Sequence, residues 1–199
     1  MTDADHTAPE QAAVGAAEPA DVVAPARVVS VLMIVAGLAI AGFSLAPWGV
    51  THEGVQPSVT GLGGVRVPGA TAEDVAFLTD HTQRPGMMLL AIGAATIVLA
   101  ALATWRPTLR LAAAGWSIIA GLVTIGWSIA VLSAPEHRLF DKQVTDTLDA
   151  GPSVLQPGWG LLAEIVTGAV LVGLGGIQAA LLWLARGRGG ASAPAQSRA

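Results

Sequence analysis

Four apolar runs, each about twenty residues or longer, constrain this chain more than any other feature. They cover residues 28–48, 86–105, 109–133 and 158–184. A helix rises 1.5 Å per residue, so about twenty residues cross the roughly 30 Å hydrocarbon core of a bilayer. Lipid offers no partner to backbone N–H and C=O groups, so runs of this length predict helices, which satisfy those groups internally. Of the 199 residues, 53% are hydrophobic and 12% charged, about half the charge of an ordinary soluble domain. The chain reads as an all-α membrane protein, a four-transmembrane-helix bundle with a small extracytoplasmic β-hairpin and helix cap and disordered termini. The lipid bilayer is its first partner.

The flanks set the domain limits. Residues 1–26 are rich in Ala, Pro, Asp and Glu and nearly free of large apolar side chains, so they read as a disordered acidic cytoplasmic tail. The transmembrane domain is 27–185, with outer loops at 49–85 and 134–157. Residues 186–199, made of Gly, Ser, Ala and arginines, read as a second disordered cytoplasmic tail. Ser44-Leu45-Ala46 looks like a signal-peptide cleavage site, but the long acidic segment before the helix and Pro47 after it favour an uncleaved anchor.

Arginine placement orients the bundle, because Lys and Arg are enriched on the cytoplasmic side. With both termini inside, the inner face carries Arg27, Arg106, Arg110, Arg186, Arg188 and Arg198, against Arg66, Arg84, Arg138 and Lys142 outside. Trp48 and Trp159 then fall at the outer boundary and Trp105 and Trp183 at the inner one, as an aromatic belt requires. In the first outer loop, Val55, Val59, Leu62, Val65 and Val67 suggest two short strands turning at Gly61 to Gly64. Thr71 then caps a short helix with Glu73 and Asp74 in its first turn. In the second loop, Leu139, Phe140, Val144 and Leu148 stand at near-helical spacing before Gly151-Pro152, which predicts a surface helix or a lid.

Composition excludes several functions. With no Cys, there is no disulfide, thiol chemistry or cysteine-ligated metal. A net charge of −4 and scattered Lys and Arg exclude nucleic acid as a partner. Gly61-Leu62-Gly63-Gly64 lacks the Walker lysine, and no GxSxG motif occurs, so no cofactor is expected.

Three kinds of residue remain. Small side chains form helix-packing ridges at Ser117, Gly121, Thr124 and Ser128 in the third run and at Gly173 and Gly176 in the fourth. They read as packing within one bundle, or more sharply as a docking face for another subunit. The third run also repeats itself, as Gly115-Trp116-Ser117-Ile118 and Gly126-Trp127-Ser128-Ile129, an eleven-residue offset that keeps both copies on nearly one face. Glu164 is the one acid that can lie within a span, as a proton or ion site if deep or an interfacial group if residues 165–184 do the spanning. Gln178 shares its face and suits an interhelical hydrogen bond. Three histidines each adjoin an acid outside, His52 by Glu53, His81 by Asp80 and His137 by Glu136. They are candidates for a metal site or pH sensor, or for an ordinary polar interface layer.

The acidic Ala/Pro tail, the first helix ending in Ala46-Pro47-Trp48, the β-like outer loop and the turn Trp105-Arg106-Pro107 together resemble the uncharacterised four-helix membrane proteins of high-GC actinobacteria, including those named for association with the tryptophan operon. The resemblance covers Arg27 to Arg188 and implies a bacterial inner membrane without an activity. The topology is also claudin-like, but the cysteine pair of claudins is missing. The expected function is a non-enzymatic accessory or assembly subunit of a cell-envelope membrane complex, with a membrane-protein partner or self-association. The alternative is a small oligomeric transporter or channel using Glu164 and the outer histidines. A third reading, a membrane hydrolase, would draw on Glu53, Asp80 and Glu136.

Overall fold

A computed structural model describes residues 20–51, 56–133, 135–141 and 156–190. The elements are α1 (Ala20–Phe43), β1 (Pro47–Val50), β2 (Ser58–Thr60), β3 (Val65–Arg66), α2 (Ala72–Asp80), α3 (Gly86–Trp105), a 3₁₀ turn (Pro107–Leu109), α4 (Arg110–Ser133), α5 (Pro135–Leu139), β4 (Gln156–Pro157) and α6 (Trp159–Gly190). Among the described residues four helices are long and apolar enough to cross a membrane, over Ala24–Phe43, Gly86–Trp105, Pro107–Ser133 and Trp159–Arg186. They form a ring in which α4 with α6 makes the most extensive interface, followed by α1 with α3, α1 with α6 and α3 with α4.

Glycine sets how closely these helices approach. A Cβ built on Gly121 would lie 2.5 Å from the Gly168 carbonyl oxygen, and one on Gly175 would lie 2.8 Å from that of Ala114. These two contacts are seven residues apart on both helices, so one antiparallel register runs the length of the α4 and α6 interface. Gly37 and Gly93 join α1 to α3 in the same way, each with the other's carbonyl oxygen within 2.9 Å of its built Cβ.

At one end of the bundle the two long connections meet in a four-stranded antiparallel sheet, ordered β3, β2, β1, β4. The expected hairpin is β2 with β3, pairing Ser58 with Arg66 and Val59 with Val65. Its turn uses Gly63 at φ +83°, a left-handed conformation that glycine adopts without steric cost. The sequence pattern did not reveal β1 or β4. β1 pairs Gly49 with Pro157 of β4, tying the end of α1 to the start of α6.

α1 differs from its expected span at both ends. It stops at Phe43 rather than 48, because Pro47 disfavours helical geometry at the residue before it and the chain from Pro47 enters the sheet. It begins at Ala20, inside the segment read as tail, and Ala26 and Val29 are buried against the bundle, so packing holds those first turns. α6 likewise continues through residues 186–190, beyond the expected end of its span, since extending a formed helix adds a hydrogen bond for each residue fixed.

Trp48 corrects the aromatic-belt assignment. It is fully buried, its Nε1 donates to the Phe43 carbonyl at 3.1 Å, and its ring lies where side chains on Gly61 and Gly160 would stand. Trp105, the last residue of α3, Trp159, the first of α6, and Trp183, seven residues before the end of α6, are exposed. α2 carries the expected cap at Thr71, completed as a capping box with Asp74. Of the predicted second-loop helix, α5 forms with Leu139 buried, and Thr82 bridges to Phe140; Val144, Leu148 and Gly151-Pro152 lie outside the described residues.

Candidate functional site

The bundle interior holds a seam of polar side chains contributed by α1, α4 and α6. Ser117, Thr124 and Ser128 of α4 are fully buried together with Glu164 and Gln178 of α6 and Ser44 just after α1. Both ends of the α6 portion are therefore inside, as the shared face of Glu164 and Gln178 predicts. Glu164 stands in the second turn of α6, four residues after Gly160, where a built Cβ would lie 3.0 Å from Trp48 Cδ1.

Among the described residues Glu164 has one hydrogen bond: the single Ser44 Oγ–H is shared between Glu164 Oε1 at 3.3 Å and the Ile40 carbonyl at 3.1 Å. Its Oε2 is buried without a hydrogen-bond partner among the described residues. Gln178 Nε2 donates to the Arg110 carbonyl at 3.3 Å, making the interhelical bond expected of it, while its Oε1 and Arg110 Nε are buried without partners. These two sites lie at opposite ends of the α4 and α6 interface, fourteen residues apart on α6, about 21 Å along the axis.

Most buried or half-buried helical hydroxyls here donate to the carbonyl four residues earlier. Ser30, Ser44, Thr96, Thr104 and Thr167 all do. Thr124 and Ser128 do not, and their oxygens have no hydrogen-bond partner among the described residues. The α4 and α6 register places both within about one turn of Glu164, which lies level with Ile125.

The eleven-residue repeat explains part of this arrangement. Trp116 Nε1 donates to Thr96 Oγ1 at 3.1 Å and Trp127 Nε1 to the Pro85 carbonyl at 3.2 Å, so both tryptophans anchor α4 to the α3 side. The serines that follow point inward. Ser117 Oγ donates to Met33 Sδ of α1 at 3.4 Å. Advancing eleven residues, about three turns, along both α1 and α4 takes Met33 to Ser44 and Ser117 to Ser128. Ser128 thus occupies the level of Ser44, the residue that binds Glu164.

The packing residues divide into two groups. Ser117, Gly121, Thr124 and Ser128 are consumed inside the bundle. Gly173 and Gly176 are not packing contacts within the bundle: both are exposed, and a Cβ on either would meet nothing within 4 Å. Gly168 and Gly175 make the close α6 contacts, each one residue before the exposed Ala169 and Gly176 and so about 100° away around the helix.

The histidines are not brought into one visible site. His81 caps α2, with Nδ1 2.8 Å from the Phe77 carbonyl and its ring 4.3 Å from the Phe77 ring. His52 and the side chain of His137 lie outside the described residues. Among the described residues no group of three or more His, Cys, Asp or Glu is placed to hold a metal ion. No protein-family model and no curated protein matches this sequence.

Proposed function

We propose that this chain is a multi-pass protein of the bacterial cell membrane, with both termini cytoplasmic, that acts as a non-enzymatic accessory or assembly subunit of a cell-envelope complex. The observation that carries this reading is the exposed ridge of Gly173 and Gly176, flanked by exposed Ala169 and Ala180, on the face of α6 that its own bundle leaves uncovered. Lipid tails are as apolar as leucine, so helices associate where small residues allow close backbone approach, and this ridge allows it. A groove of about 350 Å³ between α1 and α6, lined by Leu32, Val35, Phe43, Val166 and Val170, adjoins the ridge and offers a surface for a partner helix's larger side chains.

The test is purification of the tagged full-length protein from native membranes in mild detergent, with mass spectrometry of what accompanies it. A stoichiometric heterologous membrane protein is expected, and Gly173→Leu with Gly176→Leu should release it while leaving thermal stability unchanged. Recovery of the chain alone or only with itself would reject the accessory role. Self-association would favour the second reading, a small oligomeric transporter or channel, whose support is the unpartnered Oε2 of buried Glu164.

A further inference from the structure

We propose that Ser44, Thr124, Ser128 and Glu164 form an oxygen-lined site that binds one monovalent cation inside the bundle. The inference does not depend on lateral docking, because the site is built from three helices of a single chain. Three oxygens carry it: Glu164 Oε2, Thr124 Oγ1 and Ser128 Oγ are all buried and all without hydrogen-bond partners among the described residues. A buried polar atom without a partner costs free energy, and three at one level of one bundle are satisfied together by a shared ligand. The fourth oxygen, Ser44 Oγ, is already on Glu164 Oε1 at 3.3 Å.

The chemistry of the donors selects the ligand. All are hard oxygen atoms, which suit a proton or an alkali cation rather than a transition metal. One carboxylate supplies one negative charge, which matches a single positive charge and leaves a divalent ion unneutralised. Among the described residues no charged side chain hydrogen-bonds to Glu164, and Arg138 is held with its Cζ 5.8 Å over the ring of Trp127, the residue before Ser128. α3 and β1 contain no charged residue, α4 contains only Arg110, and the described charged side chains of α1 reduce to Arg27. Arg27 and Arg110 are seventeen and eighteen residues before Ser44 and Ser128, about 25 Å away along their helices. Of the titratable groups in the neighbouring connections, His81 Nδ1 is 2.8 Å from the Phe77 carbonyl and Arg84 lies against Gly63 of the hairpin turn.

Both sources of the charge make distinct predictions. A sodium ion would take the carboxylate and hydroxyl oxygens as ligands. A proton on Oε2 would turn that oxygen into a donor toward a Thr124 or Ser128 hydroxyl.

The full-length protein in detergent, cycled between sodium chloride and choline chloride at one ionic strength, separates them. If sodium binds, Tm rises by about 3–6 °C at roughly ten times Kd, and the rise disappears in Glu164→Gln and shrinks in Ser128→Ala. If a proton binds, Tm is indifferent to sodium. Infrared spectra then show a carboxylic acid C=O stretch that vanishes in Glu164→Gln, disappears reversibly at high pH, and shifts in Thr124→Val and Ser128→Ala. The last two variants retain Glu164 and keep the test valid should Glu164→Gln fail to fold. Absence of a sodium effect, together with a carboxyl band that is missing or insensitive to both hydroxyl variants, overturns the site.

Discussion

Ser44 Oγ donates a 3.3 Å hydrogen bond to Glu164 Oε1, joining the residue that follows α1 to α6 across 120 residues of sequence. The β1 and β4 pairing joins the same two stretches of chain, so one polar contact and one short ladder fasten α1 to α6. Removing the hydroxyl leaves a buried carboxyl oxygen without its partner, a loss of about 1–3 kcal/mol. Ser44→Ala should therefore lower the unfolding free energy by that amount, whereas Ser133→Ala, which loses only an exposed hydroxyl, should be nearly silent in the same denaturation series.

The two glycine faces of the bundle should respond oppositely to an added side chain. Gly121→Leu would drive its side chain into the Gly168 backbone and separate α4 from α6. Gly115 and Gly173 have nothing within 4 Å of a built Cβ, so Gly115→Ala and Gly173→Ala should be neutral or stabilise by about 0.5–1 kcal/mol through the better helix propensity of alanine. Unfolding in mixed micelles with increasing denaturing detergent measures both.

Trp48→Ala should be among the most damaging single changes, costing about 3–5 kcal/mol, the range for deleting a buried aromatic side chain. Trp105→Ala removes a ring that is 81% exposed and should leave thermal stability in detergent almost unchanged. A comparable loss in both variants would contradict the placement of Trp48 in the core.

The absence of native cysteine makes topology directly measurable. Single cysteines introduced as Ser58→Cys and Ser192→Cys should react with an impermeant thiol reagent in intact cells and only after lysis, respectively. Labelling of the second in intact cells would refute cytoplasmic termini.

Much of the fold was legible in the residues themselves. Length and apolarity located four helices. Thr71 followed by Glu73 and Asp74 marked the start of α2, and the glycines between Val59 and Val65 marked the hairpin. These are local signals, carried by residues within a few positions of one another. β4 was not legible, because two residues, Gln156 and Pro157, have no strand pattern of their own and become a strand only through pairing with Gly49 and Val50 more than a hundred residues earlier.

The sequence by itself determined the number of long apolar helices, the small-residue ridges on them and the single acid among those residues. The tertiary structure decided which ridge faces inward, placing Gly168 and Gly175 against α4 and leaving Gly173 and Gly176 uncovered. In a soluble protein the polarity of the exposed face would have revealed that choice. Here the outward faces carry large aliphatic side chains and the inward faces carry the polar ones, so the soluble-protein rule is inverted, and the close backbone contacts fix each helix's rotation. The same rotation buries Thr124, Ser128 and Glu164 inside the bundle and brings Glu164 to Ser44, an arrangement that has no counterpart in any local stretch of chain.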